Sequence, residues 1–205
     1  MMQSGGIYIY GSMLLLLLFC SCGTQEASKA QKHVPLDSLS FEELPVAMYQ
    51  GEPYTGISRA CYPDGTVERE TSFVMGIQEG YFKKYTQEGD LIEHNDIKAG
   101  YIECYYRLYF PGGPLKYKAA YTKGKAQGKA LQYYENGKLQ SSTTYRMGIP
   151  DGPYQLFFPN GTINKDGQYR AGRKEGKWQL YTSDGALYET RVYAADSLLS
   201  TELVQ

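Results

Sequence analysis

Between residues 54 and 193, polar and apolar side chains alternate in short runs, and glycine interrupts the alternation at regular intervals. The stretch YYENGKLQSSTTYRMGIPDG, residues 133–152, shows the unit. A strand-like run is followed by an Asn-Gly pair, a second strand-like run and a loop bounded by two glycines. Alternation of period two marks a strand whose faces meet different surroundings. Runs of this length separated by turn residues predict antiparallel hairpins.

The unit recurs. Gly65, Gly89, Gly113, Gly137, Gly161 and Gly185 each follow the last by 24 residues. They are preceded by Asp64, Glu88, Gly112, Asn136, Asn160 and Asp184. The Asp-Gly, Asn-Gly and Gly-Gly pairs suit a two-residue turn with positive φ. Two residues after each glycine stand Val67, Leu91, Leu115, Leu139, Ile163 and Leu187; eight after stand Phe73, Ile97, Tyr121, Tyr145, Tyr169 and Tyr193. Loop glycines recur at 76, 100, 124, 148 and 172, and again at 80, 128, 152 and 176, with Cys104 replacing one of this second set. Tyr49 and Gly56 stand one period before Phe73 and Gly80, so a half-repeat precedes the first copy. The prediction is an all-β protein: an elongated antiparallel β-hairpin array of six 24-residue repeats plus an N-terminal half-repeat. At about 4.8 Å per strand, some twelve strands would span roughly 55–60 Å. Each hairpin alone is marginal, so stability must come from neighbours.

These copies resemble MORN repeats, in particular the bacterial variant whose copies read like YYENGKL. YFPGGPLKYKAAYTKGKAQG and FFPNGTINKDGQYRAGRKEG are similar copies, and the resemblance covers about residues 54–193. Many bacterial proteins of this kind carry the label YwqK-type antitoxin. The resemblance implies a protein- or lipid-interaction module without enzymatic activity.

The first residues have a different character. MLLLLLF, residues 13–19, is too short to span a bilayer as a helix, which needs about 20 residues, and fits the apolar region of a signal peptide. CSCG follows. This resembles a bacterial lipoprotein signal, with Cys22 as the lipidated residue because Ser21 supplies the small residue before it. No Lys or Arg precedes the apolar run, which departs from the pattern. The expected division is a signal over 1–21, a flexible tether over 22–35, an N-terminal cap and half-repeat over 36–56, the array over 57–193, and a C-terminal cap or tail over 194–205. The expected location is the cell envelope, as an outer-membrane lipoprotein of a Gram-negative bacterium.

Two faces follow from the two-residue turn. Positions three before and two after each turn glycine would pair and share a face. That face would carry Tyr62, Phe110, Tyr134 and Phe158 with the aliphatic column, and also Phe82, Tyr106, Tyr154 and Trp178, as a structural spine. The opposite face would carry Cys61, Tyr85, Tyr109, Tyr133, Phe157 and Tyr181. Arg59, Lys83 and Arg107 lie two residues earlier on the same side, and Lys116 and Lys118 are expected beside them. Aromatics interleaved with cations suit a protein, a glycan or an anionic lipid; the plainer reading is that Tyr stacks on Tyr to cover a single-layer sheet.

The bulk numbers agree with a thin Tyr-rich sheet: Tyr occurs 21 times and Trp once in 205 residues. Net charge is -1, yet residues 105–177 hold 13 Lys and Arg against 4 Asp and Glu. A basic half could meet phosphates or acidic partners. No nucleic-acid motif appears, and export would remove the chain from nucleic acid. No zinc spacing, P-loop, dinucleotide fingerprint or nucleophile elbow appears, so neither a cofactor nor an enzymatic activity is expected. Cys61 and Cys104 fall four strands apart, roughly 19 Å, too far for a disulfide. The expected function is an envelope interaction or scaffold module, with the alternative of an antitoxin or immunity protein acting by direct contact.

Overall fold

The computed structural model describes residues 33–41 and 46–204. The signal segment and Cys22 lie outside the described residues. After β1 (His33–Pro35), a 3-10 turn (Leu36–Ser38) leads to β2 (Ser40–Phe41), β3 (Ala47–Tyr49) and β4 (Glu52–Pro53). The long strands follow: β5 (Gly56–Cys61), β6 (Val67–Val74), β7 (Ile77–Tyr85), β8 (Leu91–Lys98), β9 (Tyr101–Tyr109) and β10 (Leu115–Thr122). They continue as β11 (Lys125–Tyr133), β12 (Leu139–Arg146), β13 (Ile149–Phe157), β14 (Ile163–Arg170), β15 (Arg173–Tyr181), β16 (Leu187–Ala194) and β17 (Ser197–Leu203). β1 and β5–β17 form one open 14-stranded sheet in chain order, and β2–β4 form a separate three-stranded sheet. Every neighbouring pair from β5 to β17 is antiparallel; β1 lies parallel to β5. The predicted hairpin array is therefore the observed fold.

Its two kinds of turn are exchanged relative to the sequence reading. At the Asn-Gly turn the Gly137 amide donates to the Tyr134 carbonyl at 2.9 Å, and the Tyr134 amide donates to the Lys138 carbonyl at 2.9 Å. In that turn only Gly137 has positive φ; Asn136 does not. This is a three-residue loop with a glycine in the left-handed region at its end. Asn136 is there because its Oδ1 accepts the Lys138 amide at 3.0 Å; Asp64 and Asn160 do the same for Thr66 and Thr162. The two-residue turns with two positive φ values sit at the other edge: Met75-Gly76, Ala99-Gly100, Lys123-Gly124, Met147-Gly148, Ala171-Gly172 and Ala195-Asp196.

The longer loop moves the register by one residue. Leu139 pairs with Tyr133, four before the glycine, not with Tyr134. Tyr109–Leu115, Phe157–Ile163 and Tyr181–Leu187 pair likewise. The aliphatic column thus joins the Tyr85 column, and the expected spine is corrected to that extent. Phe82, Tyr106, Tyr154 and Trp178 remain on the other face, as positions three apart from that column require. There Trp178 packs against Tyr154, Tyr169 and Tyr193 with ring centroids 5.1–6.3 Å apart. Trp178 and Leu180 are buried.

Both edges of the sheet are stitched along its length. At the two-residue turns the amides of Gly100, Gly124, Gly148 and Gly172 donate to the carbonyls of Gln78, Ile102, Ala126 and Pro150 at 2.8–2.9 Å. A side-chain ladder runs beside them: Glu79, Glu103, Gln127 and Glu175 accept the amides of Ala99, Lys123, Met147 and Ala195. Those four amides belong to the left-handed non-glycine residues, so the acceptors fix the strained turns. At the opposite edge Asn136 and Asn160 donate to the carbonyls of Pro159 and Ser183.

The ends of the array differ. Val34, Leu39, Ala47, Tyr54 and Phe73 form a buried cluster that closes the first strands. His33–Pro35, expected as tether, is a strand of the sheet. Residues 197–203, expected as a cap or tail, are the fourteenth strand, exposed along its whole length.

Candidate functional site

The two candidate surfaces are the faces of the sheet. Tyr85, Tyr109, Tyr133, Phe157 and Tyr181 end successive first strands and stand half-buried in one column. Each faces an aliphatic side chain across its turn, as given above. This strengthens the reading that the column covers the sheet, because an aromatic paired with Leu or Ile is a stabilising cross-strand unit.

Two residues back on the same face lies the expected row of Arg59, Lys83, Arg107 and Lys118, with Glu70 and His94 added to it. Arg59, Glu70, Lys83, His94, Arg107 and Lys118 are direct partners in turn across β5 to β10. The row continues as Leu131, Ser142 and Gln155, without cations. Its one acidic member, Glu70, is engaged, and so is Asp96 two residues from His94. Arg59 Nε is 2.7 Å from Glu70 Oε1, and the Tyr85 hydroxyl donates to Glu70 Oε2 at 3.3 Å. Arg107 Nη2 is 2.8 Å from Asp96 Oδ2. Lys83 Nζ stands 4.6 Å from the Tyr81 ring centroid; Lys118 Nζ and Arg107 Cζ stand 4.1 and 5.1 Å from that of Tyr105. His94 meets the Tyr81 ring edge-on at 6.5 Å.

The row has an electrical consequence. Burial, then Arg107 and Lys83, push the His94 pKa below its ordinary value, and Asp96 opposes them. His94 is therefore neutral at pH 7, between two cations that disfavour its charged form. Its place in the row was readable: it stands five residues after a turn glycine, as Glu70 and Lys118 do. The corrected register makes that position the partner of Lys83 and Arg107.

The structure separates Lys116 from Lys118. The register shifts between Leu115, opposite Tyr109, and Tyr117, opposite Leu108, so Lys116 is the added residue at the shift. Lys116 Nζ lies 5.4 Å from the Phe110 ring centroid, and Lys116 lines a hollow with Tyr106, Tyr117, Tyr121 and Gln132. It belongs to the Trp178 face. Lys83, Arg107 and Lys118 share a face with Tyr85 and Tyr109, but the rings they approach are Tyr81 and Tyr105, which the expected face did not include; Tyr133, Phe157 and Tyr181 extend the aromatic column beyond the cations.

A hollow of about 660 Å³ at the capped end is lined by Val34, Leu36, Arg59, Cys61 and Arg69, among others. It lies beside β5, where β1 stops. Cys61 lies on β5 and Cys104 on β9, and no disulfide joins them. Cys104 takes the place of a recurring glycine and adopts its left-handed backbone, φ 62°. Among the described residues no cluster of His, Cys, Asp and Glu could hold a metal ion, and no helix is long and apolar enough to cross a membrane.

Residues 126–147 and 150–171 match the MORN repeat variant. These are two adjacent copies in the middle of the array, and the flanking copies keep their spacing. No curated protein matches the chain.

Proposed function

We propose that the chain is a non-enzymatic interaction module of the cell envelope, held there by a lipid on Cys22. It takes a protein, glycan or anionic lipid against the face of Lys83, Arg107, Lys118, Tyr85 and Tyr109. The observation that carries this reading is the uninterrupted run Lys83–His94–Arg107–Lys118. Like charges set directly opposite one another weaken a sheet. Arg107 and Lys118 are such a pair, kept beside a histidine and Lys83 although Glu70 and Asp96 offset only Lys83 and Arg107, and this favours a use other than folding. The flanking rings supply flat surface at low entropic cost, suited to sugars, acyl-linked head groups or peptide. The lipid anchor rests on the short apolar run and the cysteine that follows it.

The test is capture by the full chain in membranes. Tyr109→Ser with Lys83→Gln and Lys118→Gln should abolish retention of anionic vesicles or of an envelope partner, while folding survives. Retention by a folded triple variant would remove this face from the proposal. Loss of palmitate label in Cys22→Ala should move the protein out of the membrane fraction. Label that persists would remove the anchor and leave the binding face to be judged separately. A toxin as the captured partner would make this same surface that of an immunity protein.

A further inference from the structure

The ends of the sheet are treated differently. The edge at β1 is a three-residue strand ending in Pro35 and backed by the buried cluster. Short strands and proline are ways of blunting an edge. β17 is seven residues long, has no proline, and no described strand lies beyond it. Its single charge is Glu202. Leu198, Leu199 and Leu203 are 55%, 64% and 71% exposed. A long, weakly charged, apolar edge is a template for another strand.

The direction of its hydrogen-bonding groups is fixed. The Val204 amide donates to the Tyr188 carbonyl at 2.9 Å, so it points inward. Glu202 and Ser200, paired with Thr190 and Val192, point the same way. By the alternation of an antiparallel ladder, the amides and carbonyls of Thr201 and Leu203 point outward.

We propose that the outer edge of β17 pairs antiparallel with the same edge of a second copy of this chain, about a two-fold axis at Thr201. This register sets Thr201 opposite its own copy and Leu199 opposite Leu203 of the second copy, twice by symmetry. Ser200 then faces Glu202 of the second copy, so the two carboxylates do not meet. A two-fold at Ser200 would instead set Leu198 against Glu202 and Leu203 against Ser197, leaving the leucines without apolar mates. In the chosen register Thr201 and Leu203, the cross-strand partners of Arg191 and Glu189, lie on the face that Tyr193 continues along β16, and Leu199 falls at the register shift opposite Val192 and Tyr193. Both copies use one patch, so the contact closes as a dimer, and the blunted β1 edge stops growth into a filament.

The experiment is light scattering after size exclusion on the full chain, in non-ionic detergent, across a hundredfold range of concentration. A dimer dissociating in the micromolar range is expected. Thr201→Pro removes an amide that makes no bond to β16, so the monomer should keep its melting temperature while the dissociation constant rises at least tenfold. Leu203→Lys should act in the same direction. Glu202→Pro removes an inward bond and should lower the melting temperature, which checks the assignment of inward and outward groups. A monomer at every concentration overturns the proposal. So does a dimer that persists unchanged in a folded Thr201→Pro variant.

Discussion

Gly167 lies directly beneath the indole of Trp178. A β-carbon there would come within 2.8 Å of Cδ2, Cε2 and Cε3 of the ring. The two residues belong to β14 and β15, and Gly167 has no left-handed backbone, so the requirement is for space alone. The ring fills the notch and is held by Tyr154, Tyr169 and Tyr193 around it.

Gly167→Ala should therefore destabilise the array by about 1–3 kcal/mol, the usual cost of overpacking. The loss should be local at first, because each hairpin depends on its neighbours. Trp178 is the one tryptophan of the chain, so its fluorescence reports this region. Its transition in urea should fall below the transition seen by circular dichroism. A coincident and unshifted transition would mean that the ring can move aside freely.

The ladder of Glu79, Glu103, Gln127 and Glu175 makes a chemical prediction. Gln127 shows that an amide oxygen serves as well as a carboxylate, accepting the Met147 amide at 2.9 Å. Glu103→Gln should leave the urea midpoint unchanged. Glu103→Ala removes the acceptor of the Lys123 amide at a strained turn and should cost ~0.5–1.5 kcal/mol, the net value of one hydrogen bond. Equal loss in both variants would show that charge, not the hydrogen bond, is what the position supplies.

Alkali should unfold the protein early. Burial raises the pKa of Tyr85 and Tyr117 to about 12, and also raises those of Tyr81, Tyr106, Tyr154 and Tyr169. A phenol with a folded pKa above its unfolded value of 10.0 keeps its proton in the fold and releases it on unfolding. The stability these tyrosines contribute is complete below pH 10 and is lost as pH rises toward 12. Thermal melts between pH 8 and pH 12 should show a melting temperature flat to about pH 10 and falling steeply above it. Tyr117→Phe should lessen the fall. A melting temperature that stays flat to pH 12 would contradict the burial of these rings.

His94 should report on its neighbours by NMR. Its pKa lies below 6.5 because of burial, Arg107 and Lys83, so its contribution to stability is present above pH 6.5 and is lost as pH falls through its own lowered value. Lys83→Gln should raise that value. Anionic vesicles that engage Lys83, Arg107 and Lys118 should raise it too, while neutral vesicles should not. A value indifferent to both changes would mean that no anion approaches this row.

The sequence carried the architecture well, because glycine and the apolar columns recur at a strict 24-residue spacing and strand pairing must follow that spacing. It was less informative about which residues face each other. The Asn-Gly pair suits a turn with two positive φ values, yet only Gly137 adopts one, and the added loop residue sets Leu139 opposite Tyr133 and not Tyr134. Asn-Gly fits two turn types that differ by one residue of register, and nothing local chooses between them. Lys116 changes face for a related reason, since the register shift between Leu115 and Tyr117 is a backbone event without a side-chain signature. The acidic ladder was in plain view at a 24-residue spacing, but its meaning depends on the left-handed turns it supports. Lys83, Arg107 and Lys118 fall on one side by alternation alone, but His94 becomes the direct partner of Lys83 and Arg107 only in the corrected register.

The bonds at the two-residue turns join each hairpin to the next with the same partners every time: Gly100 to Gln78, Gly124 to Ile102, Gly148 to Ala126, Gly172 to Pro150. A segment cut from one turn glycine to the next can be removed or doubled, and the joint it leaves is one the chain already makes elsewhere. The molecule is thus a gauge whose reach changes in steps of about 10 Å, two strand spacings, without any new contact having to be invented.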